Sequence, residues 1–234
     1  AAGKNFGVRL DSGDIHYLSV EVRRRLDEAG LTKATITVSN DLDEMIIQTL
    51  FDAGAPINTW GVGTQMVTGG SDASFTGVYK LAARENETGT MIPSIKFSDN
   101  PEKTTNPGIK QVWRITDNQG KAVADVLSLD DPEKPDLVEQ GHRYAFWHPA
   151  ADYRHFYQDI EGSAAPLLKM RMENGRLTGP LPSLAEIRTH VTSDLEALDA
   201  SYKRLLNPHV YKVSVTSRLR DLKLSLIADY LGDL

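Results

Sequence analysis

The stretch GVRLDSGDI, residues 7–15, decides how this chain reads. It begins apolar, reaches Arg9 and Asp11, and then passes Ser12, Gly13 and Asp14 before an amphipathic run. Side chains alternate along a strand, so Arg9 and Asp11 share one face while Val8 and Leu10 share the other. A parallel strand covered on both faces shows an unbroken apolar run. The Arg9 face is therefore predicted to line a cavity or a barrel lumen. Residues 6–10 read as this strand and residues 14–29 as a helix, with Leu18, Val22 and Leu26 on one apolar stripe. Arg23, Arg24 and Arg25 fit the solvated side and the last turn, where cations suit the helix dipole. Gly30 then stops the helix in the C′ position.

The plan repeats. Residues 34–38 are β-branched and strand-like. SNDLDE, residues 39–44, is rich in helix-start residues, and Leu42, Ile46 and Leu50 carry the helix that follows. A third strand is predicted over 57–62, running into GVGT, and a fourth apolar segment, FTGVYKLAA, covers 75–83. Strands and helices alternating at this spacing predict a parallel α/β sheet or barrel.

Beyond Arg84 the texture changes. KFSDNPEKTTNPGIK reads as an ordered loop. Residues 110–116 and 121–127 are predicted as strands around the hairpin signal DNQG. Residues 143–147, 167–172 and 176–178 also read as β, with ENG as a turn. The middle, roughly 95–180, is thus predicted to be an antiparallel β module. SLAE at 183–186 is a capping box opening a helix expected to reach about residue 206. Residues 211–216 are strand-like, and 218–231 form a last amphipathic helix.

The 234 residues carry a net charge of −6, so no basic field draws nucleic acid or an anionic membrane, and neither is an expected partner. There is no cysteine, which excludes disulfides and thiolate metal sites and suits a reducing, cytoplasmic setting. No apolar run approaches the roughly 18 residues of a membrane span.

In parallel α/β folds, ligands sit at the carboxyl ends of the strands. Here the first strand ends in Arg9, Asp11, Ser12, Gly13 and Asp14, the second in Ser39, Asn40 and Asp41, and the third in Gly61, Val62, Gly63 and Thr64. Each group has a plainer structural role: capping and an ion pair with Arg9 for the first, an N-cap for the second, a tight turn for the third. Their conjunction points further. Backbone N–H groups of a Gly-rich loop with a Thr hydroxyl can cradle a phosphate. Carboxylates beside it can hold ribose hydroxyls or a Mg²⁺ carried on phosphates, and Arg9 can pair with a planar carboxylate. GVGTQM lacks the third glycine of the dinucleotide fingerprint.

GVRLDSGDI, SNDLDE and WGVGT, in this order, resemble the nicotinate phosphoribosyltransferase family. The likeness continues through GVYKL, KFSDNPEKTTNPG and GPLPSLAEIR, from Gly7 to about Tyr230. The resemblance implies a type II phosphoribosyltransferase: an irregular α/β, TIM-like barrel with additional domains, working as a homodimer. It implies formation of nicotinate mononucleotide and pyrophosphate from nicotinate and phosphoribosyl pyrophosphate, with ATP as co-substrate and Mg²⁺ on the phosphates. By it, Arg9 and Asp11 are expected to be catalytic, near the nicotinate carboxylate, pyrophosphate and ribose. Ser12 and Gly13 complete that turn, Asn40 and Asp41 contact ribose, and Gly61, Gly63 and Thr64 hold the 5′-phosphate. Lys96 and Lys103 lie in the family's lysine-bearing loop, though a solvated surface loop is their plainer reading.

The family also uses a histidine phosphorylated by ATP, and none of His16, His142, His148, His155, His190 and His209 stands in its context. The chain is thus expected to be the C-terminal portion of the enzyme. Residues 1–94 would supply barrel strands and helices with the active-site ends, and 95–234 a β-rich module with a helical tail. So few strand–helix segments cannot close a barrel, so the N-terminal part of the enzyme or a second copy is expected as partner, and the fragment alone is expected to be inactive. The competing readings are a nicotinamide or quinolinate phosphoribosyltransferase, and a non-catalytic assembly fragment.

Overall fold

Period-two patterning near the start builds one sheet and period-two patterning in the middle builds another. In this computed structural model, which describes residues 6–70, 73–74, 77–137 and 142–232, the chain divides into two units, Ala1–Val78 and Tyr79–Leu234. The boundary expected from sequence, at 94/95, falls later, beyond the first hairpin of the second unit.

The first unit runs β1 (Gly7–Leu10), α1 (Ile15–Glu28), β2 (Thr35–Val38), α2 (Glu44–Asp52), β3 (Thr59–Trp60) and α3 (Thr64–Thr68). The three strands form a parallel sheet in the order β1-β2-β3, with Leu10 opposite Val38 and Val38 opposite Trp60. Val8, Leu10, Ile36 and Val38 point to one face and meet α1 and α2. Ile36 and Val38 are fully buried there, among Leu26 and Ala34 on one side and Ile15, Leu42 and Leu50 on the other. At about 25 cal/mol per Å² of apolar area, such a face holds helix to sheet. The other face carries Arg9, Thr35, Thr37 and Thr59, half-buried or exposed. The predicted division between an apolar and a polar face is therefore present.

Local chemistry sets the helix ends. Asp14 caps α1 by accepting from the Tyr17 amide at 3.0 Å. At its other end Gly30 adopts φ +76°, and the Gly30 and Leu31 amides close back on the Asp27 and Leu26 carbonyls. α2 is capped by Asp43, which accepts from Ile46 N at 2.7 Å. The cap lies two residues beyond Asp41, so Asn40 and Asp41 have no capping role. Arg23 binds Asp27 and the carbonyls of Ala34 and Leu31, fixing α1 to the start of β2. Arg24 and Arg25 pair with Glu21, and their guanidinium hydrogen bonds take its carboxyl down to about 2.

Two expectations here are corrected. The third strand covers Thr59–Trp60 rather than 57–62. The fourth apolar segment adds no strand to the parallel sheet among the described residues: 75–76 lie outside them, and Ala83 instead opens an antiparallel hairpin.

The second unit comprises β4 (Ala83–Glu85), β5 (Met91–Pro93), β6 (Lys110–Thr116), β7 (Ala122–Leu129), β8 (Arg143–Trp147), β9 (His155–Asp159), β10 (Ala164–Pro166), β11 (Met172–Glu173), β12 (Arg176–Leu177), α4 (Leu184–Ala197), β13 (Val213–Thr216) and α5 (Ser217–Gly232). Its main sheet has the order β10-β6-β7-β13-β8-β9. β13, predicted as a tail strand, lies in the middle, parallel to β7 and antiparallel to β8. The module is thus a mixed sheet that needs the tail, not an antiparallel sheet complete by residue 180. Ile115, Ala124, Val126 and Phe146 are fully buried in its core.

Residues 167–172 do not form the predicted strand; their place is taken by β10 and a small β11–β12 hairpin turning at Asn174 and Gly175. α4 opens with the predicted capping box at Ser183 and Glu186 but ends at Ala197, short of 206. Leu184, Ile187, Val191 and Leu195 make an exposed apolar stripe along it. Polar contacts tether it instead: Arg114 reaches Asp194 at 3.1 Å and Lys121 reaches the Glu196 carbonyl at 2.7 Å. No described helix is long and apolar enough to cross a membrane.

Candidate functional site

Parallel neighbours end side by side, so β1, β2 and β3 bring their carboxyl ends to one edge of the first unit's sheet. Register places Arg9 opposite Thr37 and Leu10 opposite Val38. Ser39, one residue past β2, therefore falls on the Arg9 face. Arg9 Nε donates to Ser39 Oγ at 2.7 Å, and its terminal nitrogen lies 3.3 Å from Asp11 Oδ2. Both members of the ion pair are more than half exposed, so its value is orientation more than stability. A guanidinium offers five N–H donors in a planar fork. Two contacts fix its plane and leave donors for an anion.

Ser12 and Gly13 form the exposed turn between β1 and α1, Gly13 with φ +80°. Asn40, half-buried, and Asp41, exposed, follow Ser39. Gly61 leads out of β3, its amide bonded to the Val38 carbonyl at 2.7 Å. A Cβ there would stand 3.0 Å from the Ser39 Cβ. Gly61 therefore lets the second and third strand ends approach beside the serine that holds Arg9. Gly63 precedes α3 and supplies no capping side chain, and Thr64 is its exposed first residue.

The residues singled out from the sequence thus all lie at the ends of the three strands. Arg9 and Asp11 touch each other. Asn40, Asp41 and Thr64 make no side-chain hydrogen bond to them among the described residues. The sequence marks Ser39 as a strand-end residue and does not by itself make it a site residue. The signal for it was in the register: counting back by two from Ser39 gives Thr37 and Thr35, the polar face of β2.

Lys96 and Lys103 belong to the second unit, both exposed. Their loop is closed by its own hydrogen bonds, Lys96 N to Thr105 Oγ1 at 2.9 Å and Ser98 N to Thr104 Oγ1 at 3.2 Å. It is the ordered loop expected.

The known proteins this chain is similar to are phosphoribosyltransferases. More particularly, residues 109–223 match the family model of the nicotinate phosphoribosyltransferase C-terminal domain. The chain is 38% identical over 216 residues to a nicotinate phosphoribosyltransferase of Bacillus subtilis (strain 168), covering 90% of this chain and 42% of that protein. It is 34% identical over 229 residues to one of Homo sapiens, covering 95% of this chain and 41% of the relative. The crystal structure of human nicotinic acid phosphoribosyltransferase matches with a TM-score of 0.66 at 28% identity, over 96% of this chain and 40% of that one. The resemblance drawn from GVRLDSGDI, SNDLDE and WGVGT is borne out: the chain is similar to nicotinate phosphoribosyltransferases over most of its own length and spans about two-fifths of the length of those relatives.

Proposed function

We propose that the chain is the C-terminal portion of a nicotinate phosphoribosyltransferase that joins nicotinate to phosphoribosyl pyrophosphate, giving nicotinate mononucleotide and pyrophosphate, with ATP as co-substrate. The observation that carries this is Arg9, fixed by Ser39 and Asp11 on the polar face of a parallel sheet, beside two further polar strand ends. The relatives' name supplies the substrate; the geometry supplies a cation with its plane set and donors to spare.

Displacement at the ribose C1 carbon builds oxocarbenium character as pyrophosphate departs. The site must hold the phosphates, align the pyridine nitrogen and stabilise the developing charge. Asp11 and Asp41 would lie near the positive ribose, with Asn40 on its hydroxyls. Arg9 would take the nicotinate carboxylate or the leaving pyrophosphate. Ser12 and Gly13 would bound that pocket, and Gly61, Gly63 and Thr64 would anchor the 5′-phosphate. No side-chain nucleophile is required.

Mg²⁺ fits these residues in one way only. Among the described residues no group of three His, Asp or Glu side chains could hold a metal. A Mg²⁺ arriving on substrate phosphates needs only one or two carboxylates, and Asp41, which has no cationic partner among the described residues, is suited to supply one. The ion would supply charge neutralisation on the phosphates.

On this reading the first unit is one side of a TIM-like barrel whose remaining strands come from the N-terminal part of the same enzyme, and the working form is a cytoplasmic homodimer. The ATP-phosphorylated histidine also lies in that other part, so the fragment alone is inactive. The test is Arg9→Ala and Asp11→Ala in the full-length protein. Each is expected to lower kcat/KM for nicotinate by about a hundredfold or more, as loss of a group that stabilises developing charge does. Unchanged kinetics would sink the assignment. Competition among nicotinate, nicotinamide and quinolinate decides the base.

A further inference from the structure

The second unit's sheet comes apart at one place. β13 pairs with β7 from Val213 to Val215 but with β8 only at Val215 and Thr216, while β8 stays paired to β9 through Trp147. Val213 and Ser214 therefore have a strand neighbour on one side only. A cleft of about 700 Å³ opens there, and its walls carry Arg154, Lys212, His148, His155 and His209 but no carboxylate. In a chain of net charge −6 that is a marked local excess of cations and imidazoles.

The three imidazoles and Lys212 are held in place. The His148 Nδ1 accepts from the Ala150 and Ala151 amides at 3.1 and 3.0 Å, which fixes the ring's tautomer and leaves Nε2 as the donor. His155 packs on Trp147 with ring centroids 4.6 Å apart, and His209 on Tyr202 at 5.3 Å. The Lys212 ammonium rests 4.7 Å from the Phe156 ring centroid. Neither Lys212 nor Arg154 has a carboxylate within ion-pair distance among the described residues. The imidazoles do not gather as metal ligands, since no group able to hold a metal occurs among the described residues. Unpaired cations beside a partly apolar floor are relieved by an anion, and guanidinium and imidazole N–H groups are suited donors to phosphoryl oxygens.

We propose that this cleft binds a phosphorylated small molecule, its polyphosphate group on Arg154, Lys212 and the imidazoles and its body against Val210 and Val213. The site uses no residue of the strand-end site and does not rest on the activity proposed above. The test is calorimetric titration of this chain at low salt with sodium tripolyphosphate and, separately, with ATP, alongside NMR of the imidazole resonances. Tripolyphosphate is expected to bind and to move the resonances of His148, His155 and His209. The double variant R154Q/K212Q is expected to weaken binding about tenfold or more, while Arg9→Ala leaves it intact. Tighter binding of ATP assigns a contribution to the ligand's body; equal binding assigns recognition to the phosphates alone. No binding to the wild-type chain overturns the proposal, as does binding that leaves the three imidazoles unmoved, or imidazole shifts that survive R154Q/K212Q. Both substituted residues are exposed, so an unchanged thermal midpoint checks that the variant folds, and the wild-type imidazole shifts stand independently of it.

Discussion

Arg9 shows how little separates a structural arginine from one that recognises an anion. Its plane depends on one hydroxyl, Ser39 Oγ, and one carboxylate, Asp11. A hydrogen bond to a charged group is worth about 1.5–3 kcal/mol. On the proposed function, Ser39→Ala in the full-length protein is therefore expected to lower kcat/KM for nicotinate by about tenfold. Ser39→Thr, which keeps the hydroxyl, should recover most of that. A Ser39→Ala enzyme indistinguishable from wild type would show that Arg9 needs no guide. Half of this arrangement was legible: alternation alone put Arg9 and Asp11 on one face. Ser39 was not, because a serine before Asn-Asp reads as a helix cap until Asp43 is seen to hold that place. Only the pairing of β1 with β2 shows that Ser39 faces the arginine.

At the scale of elements, α4 is the informative case. It buries none of its residues, so its stability rests on its ends and tethers. The Ser183 hydroxyl and backbone amide hydrogen-bond Glu186 and hold its carboxyl below the usual glutamate range. A depressed carboxyl stabilises the fold above its unfolded pKa and loses that contribution as pH falls through the folded value. Amide protection in the first turn of α4, measured against the intrinsic exchange rate at each pH, is therefore expected to fall as pH drops below about 4.5, and Glu186→Gln to flatten that dependence. The second tether runs from Arg114, which pairs bidentately with Asp125 at 3.0 Å and reaches Asp194 at 3.1 Å. Arg114→Met leaves Asp125, only 15% exposed, without its cation. The cost is expected to be about 2–4 kcal/mol in urea unfolding, discounted for partial solvent access.

Elements with strong local signals were the legible ones. β6 and β8 follow their alternation, and the capping box fixed the start of α4. β9, α3 and the brevity of β3 were not legible: a two-residue strand is defined by its neighbour rather than its own composition. Nor could local pattern show that 83–93 folds back on itself instead of extending the parallel sheet.

At the scale of the molecule, the apolar stripe of α4 and the polar face of β1–β3 each lack a covering layer among the described residues of their own unit. Exposed stripes of this size mark interaction surfaces or association hazards. The chain alone is expected to self-associate in sedimentation, and addition of the remaining part of the full-length protein in trans to give a defined complex with measurable turnover. A stable, monodisperse monomer that ignores the other part would count against completion of the fold by that part.

β13 gives the sheet an order of assembly. During synthesis β6 to β10 leave the ribosome well before the strand that belongs between β7 and β8. Until then the nascent sheet has a missing slat, two raw inner edges facing each other across a gap. A premature stop after α4 would remove the keystone rather than a fringe. The product would carry those edges permanently and be prone to pair with other chains, so a late nonsense mutation here should behave as severely as an early one.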